Sequence, residues 1–291
     1  MKTIKTITSD GYHFKGLLSE ANDSKKIIIH IHGMAGSVLL NEYYLQMHDF
    51  YPANGFSFLV GEHRGTGTIT AFVHDTTDGV CGNAFEKFED CIYDIQAWID
   101  WGKSQGYEEI WLQSHSLGPS KVAYYVSQTK NHKLAGLIWI SPADMIGLVN
   151  NTQGKKDHEV MLSEAKQFVS EGKGQALLSH RLWGDNLLSA DTYLNFFDIG
   201  ARTAIFNYGN ESLGWDVVNK IDLPVLAITG TKDDGIVPVM DPYEAMKKLE
   251  AELKRSSKVK TVVYEGAEHS FDGYGDKIAK DVVVFIKSLD K

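Results

Sequence analysis

Glu109-Ile110-Trp111-Leu112-Gln113-Ser114-His115-Ser116-Leu117-Gly118-Pro119 is the stretch whose reading decides the fold. A β-type apolar run ends at Gln113, a helix-type run extends from Leu117 to Val126, and Ser116 stands where the chain must change direction. A serine held out from a sharp strand-to-helix turn needs small residues two positions to either side, because the turn is strained and closely packed. Ser114 and Gly118 meet that need, with serine in the place more often taken by glycine. Pro119 falls in the first helical turn, where a missing N–H costs nothing. The bare pattern arises by chance roughly 0.3 times in such a chain, and Ser116 could be an ordinary helix N-cap. Its strand-turn-helix setting makes a nucleophile the stronger reading.

Working outward, strand-like runs cover residues 3–8 and 12–18, split by the turn signal Ser9-Asp10-Gly11. Lys26 to His32 is a continuous β-branched run and Phe56 to Val60 repeats the pattern, both of the kind buried on both faces of a sheet. Apolar residues from Phe85 to Trp101 recur every three or four positions, as on one face of a helix. Leu134 to Ile140, Pro224 to Thr229 and Val259 to Tyr264 read as further strands, and Ile278 to Leu289 as a closing helix. Strands alternating with helices imply an α/β fold, with a mainly parallel central sheet flanked by helices. The interval 143–221 breaks the rhythm: it is helix-like, carries glycine and asparagine breaks, and is rich in aromatic residues. It is expected to be a helical cap inserted into a single domain spanning 1–291.

Three further segments follow strands and carry chemistry. His32-Gly33-Met34-Ala35-Gly36 can turn tightly and aim backbone N–H groups at a developing oxyanion. The expected donors are the amides of Met34 and Leu117. Gly230-Thr231-Lys232-Asp233-Asp234 offers a carboxylate that can orient a histidine, either Asp233 or Asp234. Glu265-Gly266-Ala267-Glu268-His269 holds, of the 11 histidines, the one lying in a late loop beyond that acid. Each has a plainer alternative: a glycine turn, a solvated acidic turn, a surface histidine.

With these elements in the order Ser, Asp, His, the chain resembles the α/β-hydrolase superfamily over nearly its whole length. The resemblance implies a triad of Ser116, Asp233 and His269; the family's acid falls three residues after the glycine ending its strand, which favours Asp233 over Asp234. Glu62-His63-Arg64-Gly65-Thr66-Gly67 looks like the family's Arg-Gly turn, with Arg64 structural. The HIHGMAG, EHRGTG and SHSLGP stretches are similar to a poorly characterised bacterial branch, distantly related to fungal siderophore-ester hydrolases.

The expected activity is cleavage of a carboxylic ester through an acyl-enzyme, with no metal and no cofactor. His30, His32 and His63 do not form a recognised ligand set. His115, Trp183, Phe196 and Phe197 are the candidate substrate-binding residues. A serine nucleophile argues against epoxide hydrolases and dehalogenases, which use a carboxylate in this fold. Thioesterase, lactonase, acyltransferase and peptidase chemistry stay open, as does a ligand-binding protein without catalysis.

Composition narrows the partners. A net charge of −9 argues against a nucleic-acid partner, whose binding rests on neutralising phosphates. No apolar run reaches signal-peptide or membrane-span length, so a cytoplasmic location is expected. Cys81 and Cys91, without metal spacing, read as free thiols. The partner expected is a small-molecule ester; the sequence is silent on oligomeric state.

Overall fold

The computed structural model describes residues 1–39, 41, 43–130, 133–152 and 155–289. Eight strands form the main path of the sheet: β1 (Lys2–Ile7), β2 (Tyr12–Ser19), β3 (Lys26–Ile31), β4 (Ser57–Gly61), β5 (Glu109–His115), β6 (Gly136–Ile140), β7 (Val225–Lys232) and β8 (Val259–Glu268). They lie in the order β1-β2-β4-β3-β5-β6-β7-β8, and the short Val73–His74 strand pairs with β2. β1 with β2 and β2 with β4 are antiparallel; every later pairing on the path is parallel. Five residues of β3 and all of β4 are buried, as strands covered on both faces must be.

Alternation along the strands sorts side chains to two layers. Ile28 of β3, Phe58 and Val60 of β4 and Ile138 and Ile140 of β6 pack with α1 (Tyr43–Ala53), and α8 (Gly275–Lys287) joins that layer. Ile27, Ile29 and Ile31 face the other way, toward α2 (Cys91–Ser104) and α3 (Leu117–Gln128). This second layer continues into the segment between β6 and β7, which holds α4 (Met145–Thr152), α5 (Lys155–Ser170) and α6 (Ala190–Phe197). Tyr193, Phe196, Phe206 and Tyr208 of that segment share the hydrophobic cluster of α2 and α3. α7 (Pro242–Glu252) packs there too, through Ala245, Met246 and Leu249.

The helix expected from Phe85 starts later. Phe88–Asp90 is a 3-10 turn and α2 opens at Cys91. The Phe88 N–H bonds to the side chain of Asn195 at 2.9 Å, and Glu86 turns inward to pair with buried Lys121. Long-range partners there replace the helical ladder. Two helices have no counterpart in the periodicity reading, α1 and α7. The start of α7 carries a local signal nonetheless: Asp241 caps the amides of Tyr243 and Glu244, with Pro242 in the first turn.

Arg64 is buried and clamps three segments. It bonds Asp94 of α2 at 2.7 Å, Asp10 of the β1–β2 turn at 3.0 Å and Asp90 at 3.2 Å. Cys81 and Cys91 are buried free thiols. Among the described residues, no helix is long and apolar enough to cross a membrane.

Candidate active site

The chemistry-bearing loops all leave the C-terminal ends of parallel strands, the edge at which open α/β sheets hold ligands. Ser116 follows β5 with φ 61° and ψ −111°, a left-handed conformation rare outside glycine. Its N–H bonds to the Ile140 carbonyl at 3.0 Å. A Cβ on Gly118 would stand 2.4 Å from the Ile31 carbonyl oxygen and 3.1 Å from the Ser114 Cβ. That crowding is why the turn takes small residues, and Ser114 fits where it stands.

His269 follows β8 directly. Its Nε2 lies 2.9 Å from Ser116 Oγ, and its Nδ1 lies 2.7 Å from Asp233 Oδ1. Asp233 and Asp234 part company here. Asp233 is fully buried after β7, and Thr229 Oγ1 and the Gly235 N–H both donate to its carboxylate at 2.9 Å. Asp234 is 84% exposed, with its nearest oxygen 3.9 Å from His269 Nδ1.

Burial opposes charge on both members of the pair, and their mutual attraction wins. Desolvation pushes the Asp233 carboxyl up, but the His269 charge and hydrogen bonds from His269, Ser141 and Thr229 hold it below the ordinary carboxylate range. Desolvation pulls the His269 imidazole down, but Asp233 beside it keeps it above the ordinary histidine value. Asp233, Asp234 and His269 bring one potential metal-ligand atom each within 4.8 Å of one another. Two of those three residues are already joined to each other by the 2.7 Å bond.

The loop from His32 to Gly36 runs beside the serine. A Cβ on Gly33 would fall 2.7 Å from the Ser116 Cβ and 3.3 Å from its Oγ, so only glycine lets the loop come so near. Met34, one residue on, lines the clefts on both sides of Ser116. Leu117 is buried as the first residue of α3.

Two clefts meet at Ser116 and His269. The smaller, about 440 Å³, is lined by polar groups including Asn41, Tyr44, His115, Lys232 and Ser270. The larger, about 710 Å³, runs toward the 143–221 segment past Met145, Leu148, Asp157, Trp183 and Asp185. His115 also holds the His269 loop: its Nε2–H donates to the His269 carbonyl at 2.8 Å. Burial, with His269 beside it, pushes the His115 imidazole down to about 3.

Four candidate substrate-binding residues divide two ways. His115 and Trp183 line clefts at Ser116. Phe196 and Phe197 do not: they are buried, Phe196 against Phe88 and both against each other, in the packing beneath the segment. Their position on α6 turns the apolar face inward, so they are core rather than pocket wall. Ser141 belongs to the site and was not among the sequence candidates. It follows β6, with its Oγ 3.0 Å from His269 Nδ1. The sequence places it directly after a strand, but that this strand lies between those of Ser116 and Asp233 shows only in the sheet.

Comparison with known proteins bears on this geometry. Residues 22–272 match a family described as serine aminopeptidase, S33. The chain belongs to that family. No curated protein matches this S33-family chain in sequence. Solved structures similar to it include a soluble variant of monoglyceride lipase from Saccharomyces cerevisiae, in complex with a substrate analog. That structure has a TM-score of 0.67 at 17% identity, over 97% of this chain and 94% of that one. Est1E from Butyrivibrio proteoclasticus, with ferulic acid bound, has a TM-score of 0.66 at 19% identity, over 98% and 99% of the two chains. The monoacylglycerol lipase of Paleococcus ferrophilus has a TM-score of 0.64 at 19% identity, over 94% and 98%. At such identities the likeness carries the fold: the S33-family chain is an α/β-hydrolase in architecture.

Proposed function

We propose that the protein is a serine hydrolase that cleaves a carboxylic ester through an acyl-enzyme. The observation that carries the reading is the unbroken relay from Ser116 Oγ through His269 to buried Asp233, with links of 2.9 and 2.7 Å, opening on two clefts. Ser116 Oγ attacks the ester carbonyl carbon as His269 Nε2 takes its proton, and Asp233 steadies the imidazolium so formed. The amides of Met34 and Leu117 receive the oxyanion. The C–O bond to the alcohol then breaks, and His269 returns the proton to the leaving oxygen. Water, deprotonated by the same Nε2, releases the acid and restores Ser116. The 143–221 segment acts as a cap, and its Met145, Leu148 and Trp183 supply an apolar wall for one part of the substrate. The neighbours named as lipases support an ester as the bond cleaved.

An aminoacyl amide is the second reading. The family description favours it, and so do Asp157 and Asp185 along the larger cleft, which can face an N-terminal ammonium. Hydrolysis of a p-nitrophenyl ester series, set beside aminoacyl p-nitroanilides, tests both. The ester reading expects turnover of esters that vanishes in Ser116→Ala, and fluorophosphonate labelling of the wild type alone. Amide turnover rivalling that of matched esters replaces it with the second reading. A wild type that neither labels nor cleaves would leave a ligand-binding protein.

A further inference from the structure

Ser141 is fully buried, and its N–H bonds to the Ile228 carbonyl at 2.7 Å. Its φ is 51°, a conformation glycine adopts freely and a side chain adopts only at a cost. A strained non-glycine residue beside reacting groups points to a use for its side chain. The hydroxyl lies 3.0 Å from His269 Nδ1, the nitrogen that is 2.7 Å from Asp233 Oδ1, and it is among the groups that hold the Asp233 carboxyl below its ordinary range. Gly235 makes room for this meeting, since a Cβ there would fall 2.9 Å from Ser141 Oγ and 2.7 Å from His269 Nδ1.

Protons can be assigned by elimination. For His269 Nε2 to accept from Ser116, its ring proton must sit on Nδ1, which then has no lone pair to offer. The Ser141 O–H therefore donates to the carboxylate, and its oxygen lone pairs face the Nδ1–H. We propose that Ser141 is a positioning residue of the site, bridging Asp233 and His269 so that the imidazole keeps one tautomer and its aim at Ser116. This rests on the serine-hydrolase reading for its catalytic consequence, although the bridge itself does not.

Ser141→Ala and Ser141→Gly test it together. Both remove the hydroxyl, but glycine relieves the backbone strain and alanine does not. On an ester that the wild type cleaves, both variants are expected to lower kcat by about tenfold to a hundredfold, the loss of one hydrogen bond to a charged group. KM should stay within about twofold, and the glycine variant should be at least as stable to urea as the alanine one. Full activity in both, or activity restored by glycine alone, overturns the proposal in favour of a backbone role. A second readout does not need turnover. The low-field His269 Nδ1 proton resonance, identified by its absence in His269→Gln, should shift or broaden in both variants. If it stays unmoved the bridge is refuted even where every ester tried is inert; a wild type that never labels with fluorophosphonate refutes the hydrolase reading instead.

Discussion

Replacing Asp233 by Asn separates the charge of the acid from its geometry. Oδ1 of Asp233 faces both His269 Nδ1 and the Gly235 N–H, whereas Oδ2 faces the Thr229 hydroxyl. An asparagine must put its oxygen toward Gly235, because an NH₂ there would confront an N–H. Thr229 can rotate its hydroxyl to accept from the NH₂ on the other side. The imidazole then keeps its tautomer, and the variant loses only the negative charge under the developing imidazolium. Unit charges about 4 Å apart at an effective dielectric near 20 attract by about 4 kcal/mol. That corresponds to a loss of about a thousandfold in kcat, smaller than the roughly 10⁴-fold seen in a serine protease whose histidine is left in the wrong tautomer. Asp234→Asn, at an exposed side chain, should cost no more than about fivefold. The pH profile gives a second readout. In the proposed mechanism the neutral imidazole is the base, so kcat/KM is expected to fall as pH drops through the His269 pKa, which Asp233 holds above the ordinary value. In Asp233→Asn this acid limb should move to lower pH. Steady-state hydrolysis of an activated ester from about pH 5 to about pH 9 measures both quantities. An Asp233→Asn enzyme keeping a tenth of the wild-type rate, or an Asp234→Asn loss as large, would refute the assignment.

Gly235→Ala should remove activity while leaving the fold intact, because its Cβ would press on the His269 ring at 2.7 Å; retained turnover with an unchanged circular-dichroism melt contradicts this. Burial pushes the imidazoles of His32 and His115 down to about 3 and that of His48 to about 4, and lowers His30 and His63 strongly. Below the unfolded value of about 6.5 the unfolded chain takes up protons that these native rings refuse, so stability should fall as pH drops from there toward the native values. A urea midpoint that stays flat from about pH 7 to about pH 5 would count against it. Phe196→Ala should destabilise by about 3–5 kcal/mol as a core truncation, whereas Trp183→Ala should change KM more than the urea midpoint. The reverse pattern would return Phe196 to the pocket.

Much of the architecture was legible in the chain itself. In the run Lys26 to His32, Ile27, Ile28 and Ile29 follow one another without polar alternation because both faces of the sheet are covered, and that pattern needs no partner to be read. The Ser116 turn was legible for a related reason: the crowding against Ile31 and Ser114 leaves few residue types possible, so the constraint is written in the sequence. The order of Ser116, Asp233 and His269 follows from the strands they terminate. What local pattern misjudged were segments ruled by distant contacts. Phe85 to Lys87 carry helical periodicity, yet Asn195 and Lys121, far along the chain, draw them out of the helix. Phe196 and Phe197 offer the same apolar aromatic side chain to a pocket or a core, and only the placement of α6 chooses between them.

The sequence alone determined which residue types stand at the ends of which strands. Only the tertiary structure decided between Asp233 and Asp234 by geometry, since adjacent carboxylates differ in nothing but direction: one turns under His269 and the other into solvent. Ser141 shows the same division. Its hydroxyl meets His269 across 128 residues of chain, through parallel strands whose register brings their ends together, and no spacing along the sequence encodes that meeting.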